Sequence, residues 1–300
     1  MTAVIQAVGL TRMYGARRGI LDLDFEVSEG EIFGFLGPNG SGKTTTIRLL
    51  LGFLRPTRGR ASVFGLDAWT AAAQVHRRVV YLGSDPAYLG ELTAREQLEY
   101  LAALRGLASG AWRPVAERFD LDPSVQVRKL SRGNRQKVGV VAMLMGDEPL
   151  LVLDEPTTGL DPLMQHEFLT ALGEIRAAGR TVFLSSHNLP EVERICDRVA
   201  IIREGRLVEI STIEAMLASH SRRVSLTLAS PAPAAAFELP NVELVSEGDG
   251  REVLLMVQGD VNPLLRRLAT MDVRDVTITT PDIEEVFMRF YGGGSEDAAS

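Results

Sequence analysis

Gly37-Pro38-Asn39-Gly40-Ser41-Gly42-Lys43-Thr44-Thr45 fits the pattern G-x-x-x-x-G-K-[ST], a loop whose backbone amides cradle nucleotide phosphates. Its glycines let successive N–H groups point inward with no Cβ between backbone and ligand. Before it, Ile32-Phe33-Gly34-Phe35-Leu36 reads as a buried strand. After it, Thr44 to Gly52 reads as a helix, with Ile47, Leu50, Leu51 and Leu54 at helical spacing. Such a helix turns its positive dipole end toward the phosphates. Lys43 is then placed to reach the β- and γ-phosphates, and the Thr44 hydroxyl to bind Mg²⁺.

Working toward the N-terminus, Ala3–Val8 and Ile20–Val27 read as short strands separated by the turn signal Gly15 to Gly19. Tyr14, just before that turn, is placed either to stack on an adenine ring or to be an ordinary half-buried aromatic.

Working toward the C-terminus, Arg58–Gly65 reads as a strand and turn, and Val79–Gly83 as a further buried strand. Residues 85–135 look mainly helical. Thr93 and Glu96 form a capping-box start for a helix to Leu107, and Trp112 to Phe119 reads as a second helix. Ser131 is a plausible N-cap for the apolar run Val138–Met145, which offers a second phosphate-binding helix end. Lys129, Arg132, Arg135 and Lys137 cluster there, although cations are unfavourable near a helix N-terminus, so an anion is expected nearby.

Leu150-Leu151-Val152-Leu153-Asp154-Glu155 reads as a central parallel strand delivering two acids at its carboxyl end, where ligands bind in such sheets. There Asp154 would hold the Mg²⁺ shell and Glu155 would polarise an attacking water. Thr181–Ser186 repeats the pattern and ends at His187. A lone histidine is usually structural, but this one stands at a strand's carboxyl end. Val199–Ile202 and Arg206–Glu209 form a hairpin.

The pattern then turns to alternation around the loop Ser230–Ala236, with strands near 224–228, 242–245, 252–257 and 273–279. Val261, Leu264, Leu265 and Leu268 mark one helix face, and Thr280-Pro281 caps a last helix carrying Ile283, Val286, Phe287 and Phe290. The expected organisation is a first domain over 1–218, a small α+β domain over 219–291 and a disordered tail over 292–300.

Composition narrows the classes. A net charge of −7 argues against a dedicated nucleic-acid binder. One cysteine, Cys196, fits a reducing cytosol. No apolar run approaches the ~18–20 residues needed to cross a bilayer, and the N-terminus lacks the basic and apolar regions of a signal peptide. The expectation is a cytoplasmic protein whose membrane role comes through a partner.

With these motifs in order, residues 3–215 resemble the ATP-binding subunit of an ABC transporter. The phosphate loop, Leu130–Lys137 as signature, Asp154-Glu155, Gly159-Leu160-Asp161 and His187 follow the family's order. The resemblance implies an α/β phosphate-loop NTPase core with an antiparallel β subdomain and an inserted helical subdomain. It implies ATP and Mg²⁺ as ligands and a second ATP-binding subunit, arranged head to tail as a homodimer. It also implies a separately encoded membrane permease. Tyr14 would stack on adenine, Thr44 and Asp154 would hold Mg²⁺, Glu155 would be the general base and His187 would sense the γ-phosphate. Ser131 and Gly133 would touch the other subunit's ATP, and Asp161 would communicate across the dimer.

Two positions depart from the family. The signature Leu-Ser-Gly-Gly-Gln reads Leu-Ser-Arg-Gly-Asn, and Ser84 stands where a glutamine usually reaches Mg²⁺ and water. Ile283–Met288 resembles the C-terminal helix of subunits paired with six-helix exporters (the ABC-2 type), which points the transport outward. The competing class is a soluble ABC-type ATPase acting on a non-membrane partner, whose members carry tandem nucleotide domains or long coiled coils. This chain has one copy of each motif and no heptad stretch.

Overall fold

A computed structural model describes residues 2–15, 17–218, 221–247 and 250–279. The helix expected over 281–290 and the tail 292–300 lie outside the described residues. The chain divides into two compact units, Met1–Ile210 and Ser211–Ser300.

The first unit holds two sheets. Strands β1 (Ala3–Tyr14), β2 (Arg17–Ser28), β4 (Arg58–Val63) and β5 (Leu66–Asp67) pair antiparallel in the order β2-β1-β4-β5. Strand β1 runs to Tyr14 rather than stopping at Val8. A register shift between Ala7 and Leu10, with Gly9 at φ 55°, changes which residues face inward, and that hides the strand's length from a simple alternation reading.

The second sheet has the order β10-β9-β3-β8-β7-β6. Its parallel strands are β3 (Ile32–Leu36), β6 (Val79–Leu82), β7 (Leu150–Asp154), β8 (Thr181–Ser186) and β9 (Arg198–Arg203). Strand β10 (Arg206–Thr212) follows β9 across Glu204-Gly205, both at positive φ, the conformation that a two-residue hairpin turn requires. β3, β7 and β8 are buried along their whole lengths, because neighbours cover both of their edges and both of their faces. β6, expected to be buried, is the sheet's edge strand. Only Leu82 is buried on it and Tyr81 is exposed. Phe25, Phe33, Phe35 and Phe183 pack with ring centroids 5.4–6.2 Å apart, joining the antiparallel sheet to the parallel one.

Helices α1 (Lys43–Leu50), α2 (Ala72–His76), α3 (Ala94–Leu104), α4 (Arg113–Arg118), α5 (Arg132–Leu144), α6 (Pro162–Ala177) and α7 (Leu189–Ile195) complete the unit. The capping box at Thr93 and Glu96 is formed, and Ser131 Oγ accepts from the Asn134 amide at 3.2 Å to cap α5. α3 and α4 lie in the stretch between β6 and β7, which makes them a helical insertion in the α/β sheet. Among the described residues no helix is long and apolar enough to cross a membrane.

The second unit takes α8 (Ile213–Ala218) and an antiparallel sheet in the order β12-β13-β11-β14. Its strands are β11 (Arg222–Leu228), β12 (Val242–Glu247), β13 (Glu252–Val257) and β14 (Val273–Thr279). Helix α9 (Asn262–Leu268) adds Leu264 and Leu268 to its core, together with Phe237. Leu265, one residue round the helix from Leu264, is turned about 100° away and is exposed.

Candidate nucleotide site

The parallel strands β3, β7 and β8 end side by side, so the segments that leave them meet at one edge of the sheet. The loop after β3 curls through Gly40 and Gly42, at φ 82° and 116°, conformations that residues with a Cβ rarely adopt. The Ser41 hydroxyl is buried in this loop with no hydrogen-bond partner.

Lys43 opens α1 and folds back over the loop. Its Nζ donates to the Gly37 carbonyl at 2.6 Å and the Pro38 carbonyl at 3.3 Å, and lies 3.1 Å from Glu155 Oε1. Thr44 Oγ1 donates to Asp154 Oδ2 at 2.9 Å. The other Asp154 oxygen accepts from Ser185 Oγ at 2.6 Å. Asp154 and Ser185 are register partners on β7 and β8, so the strand pairing itself sets this contact. Glu155 leaves β7 with φ 52°, its amide donating to the Ser185 carbonyl at 3.1 Å. That turn sends Asp154 down to Thr44 and Glu155 outward. His187, which follows β8, brings Nδ1 to 2.6 Å from Glu155 Oε2. Each Glu155 oxygen therefore faces one basic side chain.

Above these groups lies a cavity of about 460 Å³. Pro38, Asn39, Gly40, Gly42, Lys43, Thr44 and Thr45 form its floor, with Glu155 and His187 on one side. Tyr14 stands on the rim, 43% exposed, with the Arg12 guanidinium 5.0 Å from its ring centre. Ser84 lies on the cavity wall as well, although it replaces a longer residue.

Ser131, Gly133 and Asp161 do not line this cavity. Ser131 caps α5 and Asp161 caps α6, accepting from the Met164 amide at 3.0 Å. At Gly133 a Cβ would lie 2.6 Å from the Gly159 carbonyl, so the first turn of α5 can pack on that loop only with glycine there. Arg132, between Ser131 and Gly133, does line the cavity, with its stem over Gly159. Ser185 and Thr158 are contributors that the sequence alone does not single out; Arg132 belongs to the cluster at which it expects an anion. The basic cluster around Arg132 was the available signal, whereas the partnering of Ser185 depends on strand order.

The family model for ABC transporters matches residues 20–158. The bacitracin transport ATP-binding protein of Bacillus licheniformis is 33% identical over 98% of this chain and 99% of its own length. This chain belongs to the ABC transporter ATP-binding proteins. The Nod factor export ATP-binding protein I of Burkholderia orbicola is 32% identical over 98% of this chain and 99% of its own. Among solved structures, an ATP-binding subunit of an ABC transporter is 32% identical and superposes with a TM-score of 0.66, covering 71% of this chain and 91% of that one. A dimeric ATP-binding cassette bound to ADP and phosphate, 20% identical with a TM-score of 0.64 over 70% and 98% of the two chains, has the same fold. As an ABC ATP-binding protein the chain binds and hydrolyses ATP.

Proposed function

We propose that two copies of this chain clamp two ATP molecules and drive export through a separately encoded membrane subunit, at the inner face of the membrane. The carrying observation is the three-way arrangement of Lys43, Glu155 and His187 over the phosphate loop. Both oxygens of Glu155 are engaged by basic groups. An incoming triphosphate, with more charge than one carboxylate, competes for Lys43 and His187. Their transfer to the phosphates frees Glu155 to take a proton from the attacking water, so the base becomes available only when substrate is present. Tyr14 offers its exposed face to the adenine.

The Thr44 hydroxyl and the Asp154 carboxylate, already in contact, are hard oxygen donors and fit Mg²⁺, with Ser185 orienting the carboxylate from behind. When bound, Mg²⁺ neutralises charge on the β- and γ-phosphate oxygens. Ser131 and Gly133, outside the chain's own cavity, are left to close the site of the second copy, as the dimeric relative suggests. The direction of transport follows the Nod factor relative and the exporter-like residues 283–288. Ser84 borders both the nucleotide cavity and a second groove of about 660 Å³ that also holds Asp85, Tyr88 and Arg105. A membrane partner seated in that groove would act on the nucleotide site through segment 83–86.

The test is reconstitution of the full chain with the membrane protein encoded beside it. ATP turnover should depend on Mg²⁺ and rise with the partner. Glu155→Gln should lower turnover by roughly 10²–10⁴-fold while ATP stays bound and holds a dimer detectable by light scattering. Unchanged turnover in the variant removes Glu155 from the role, and a partner without effect removes the transport reading.

A further inference from the structure

Glu191 is a buried acid that the chemistry above does not use. It lies on α7, four residues after His187, and is 7% exposed. Its Oε2 accepts from Thr157 Oγ1 at 2.8 Å, and Thr157 is buried too. Its Oε1 is buried with no hydrogen-bond partner. Burial raises the Glu191 carboxyl pKa and Glu155 adds to this, while the Thr157 bond, the charge of His187 and a weaker contact with Asn188 oppose it. A carboxyl in such a place costs stability, and α7 already has Leu189 and Val192 for its apolar packing. An apolar residue would serve the core better.

What the carboxyl does hold is the loop after β7. Thr157 follows Glu155 by two residues and precedes Asp161, the cap of α6, by four. On its other side the same loop is tied to α5, where buried Gln136 Nε2 donates to the Pro156 carbonyl at 2.7 Å. Two struts therefore join the Glu155 loop to the His187 segment. The outer one, His187 to Glu155, lies in the cavity with a 56% exposed histidine and is open to competition from a ligand. The inner one, Thr157 to Glu191, is out of a ligand's reach.

We propose that Glu191 is a positioning residue, which through Thr157 keeps Glu155 and His187 in register once the outer strut has opened. This rests on the ATPase reading above. When a triphosphate takes His187 and Lys43, the inner strut is the link that remains beyond the strand ends, where the Glu155 amide already holds the Ser185 carbonyl. Asp161, on the same loop, is then carried with them. Loss of the strut leaves the phosphate loop intact, so it should misplace the base without weakening the grip on ATP.

The test is steady-state ATPase kinetics on the full chain. Glu191→Ala and Thr157→Val should each lower kcat by about tenfold, with KM for ATP within about twofold. Because both remove one contact, the double variant should be no slower than the slower single one. Glu191→Gln, whose amide oxygen still accepts from Thr157, should recover most of kcat. If Glu191→Ala does not fold, the pair Thr157→Val and Glu191→Gln decides alone, the first slow and the second not. The inference is overturned if kcat is unmoved, if the loss falls in KM, if the two effects multiply, or if Gln is no better than Ala. A wild-type chain without ATPase activity would instead overturn the reading beneath it.

Discussion

In the first unit β7 and β8 are buried from end to end and gather Asp154, Ser185 and Ser186 where they stop, with Thr181 at the start of β8 as their other polar residue. In the second unit β11 alternates strictly, with Val224, Leu226 and Leu228 inward and the residues between them toward solvent. Among the described residues, every buried polar or charged side chain belongs to the first unit, and so does every buried side-chain polar atom left without a hydrogen bond. Burying such groups costs roughly 1–3 kcal/mol each where partners are missing. In the first unit part of that cost falls at the nucleotide cavity, on Glu155, and part falls away from it, on Arg180 and Glu191, whereas the described residues of the second unit carry none of it. Among the described residues, the core of the second unit is apolar throughout.

The contrast breaks most visibly at Lys43. Lys43→Ala should weaken ATP binding by roughly 10–100-fold, since charge-assisted contacts contribute about 1.5–3 kcal/mol, while the melting of both units stays near that of the wild type. Calorimetric titration giving equal affinities would detach the cavity from nucleotide binding.

The opposite pattern, a change in stability without a change in binding, is expected from Leu255, fully buried in the second unit. Leu255→Ala should destabilise that unit by about 2–5 kcal/mol with the ATP affinity of the first unit unaltered. Chemical denaturation followed by circular dichroism alongside nucleotide binding checks this. Affinity lost in step with the unfolding of the second unit would show one shared stability.

The smallest effect concerns Ser84. Ser84→Gln should raise the basal ATPase rate a few-fold, on the order of 1 kcal/mol in barrier, by restoring reach toward the metal and water. Equal rates with and without the membrane partner, for both chains, would make the departure neutral.

How much of this is visible in the sequence follows from what is local. The phosphate loop, the α5 cap at Ser131 and the acids after β7 are set by neighbouring residues, and their spacing alone places them. Ser185 against Asp154 and Glu191 against Thr157 join residues 31 and 34 apart. These pairs arise from strand order and from the turn after β8, which no periodicity encodes. The length of β1 was hidden by a bulge, and the exposure of Tyr81 by the position of β6 at the sheet's edge. Arg132 was visible as a misplaced cation, but not the cavity that it lines.

Glu155 holds a backbone conformation that suits glycine, at φ 52°. A residue with a Cβ there sacrifices about 1–2 kcal/mol. Glu155→Gly would relieve that strain but would strip Lys43, 5% exposed, of its carboxylate, a loss of about 3–5 kcal/mol that outweighs the relief. A library of this protein screened for thermal survival alone should therefore retain Glu155, because at this one position the same carboxylate serves robustness and catalysis.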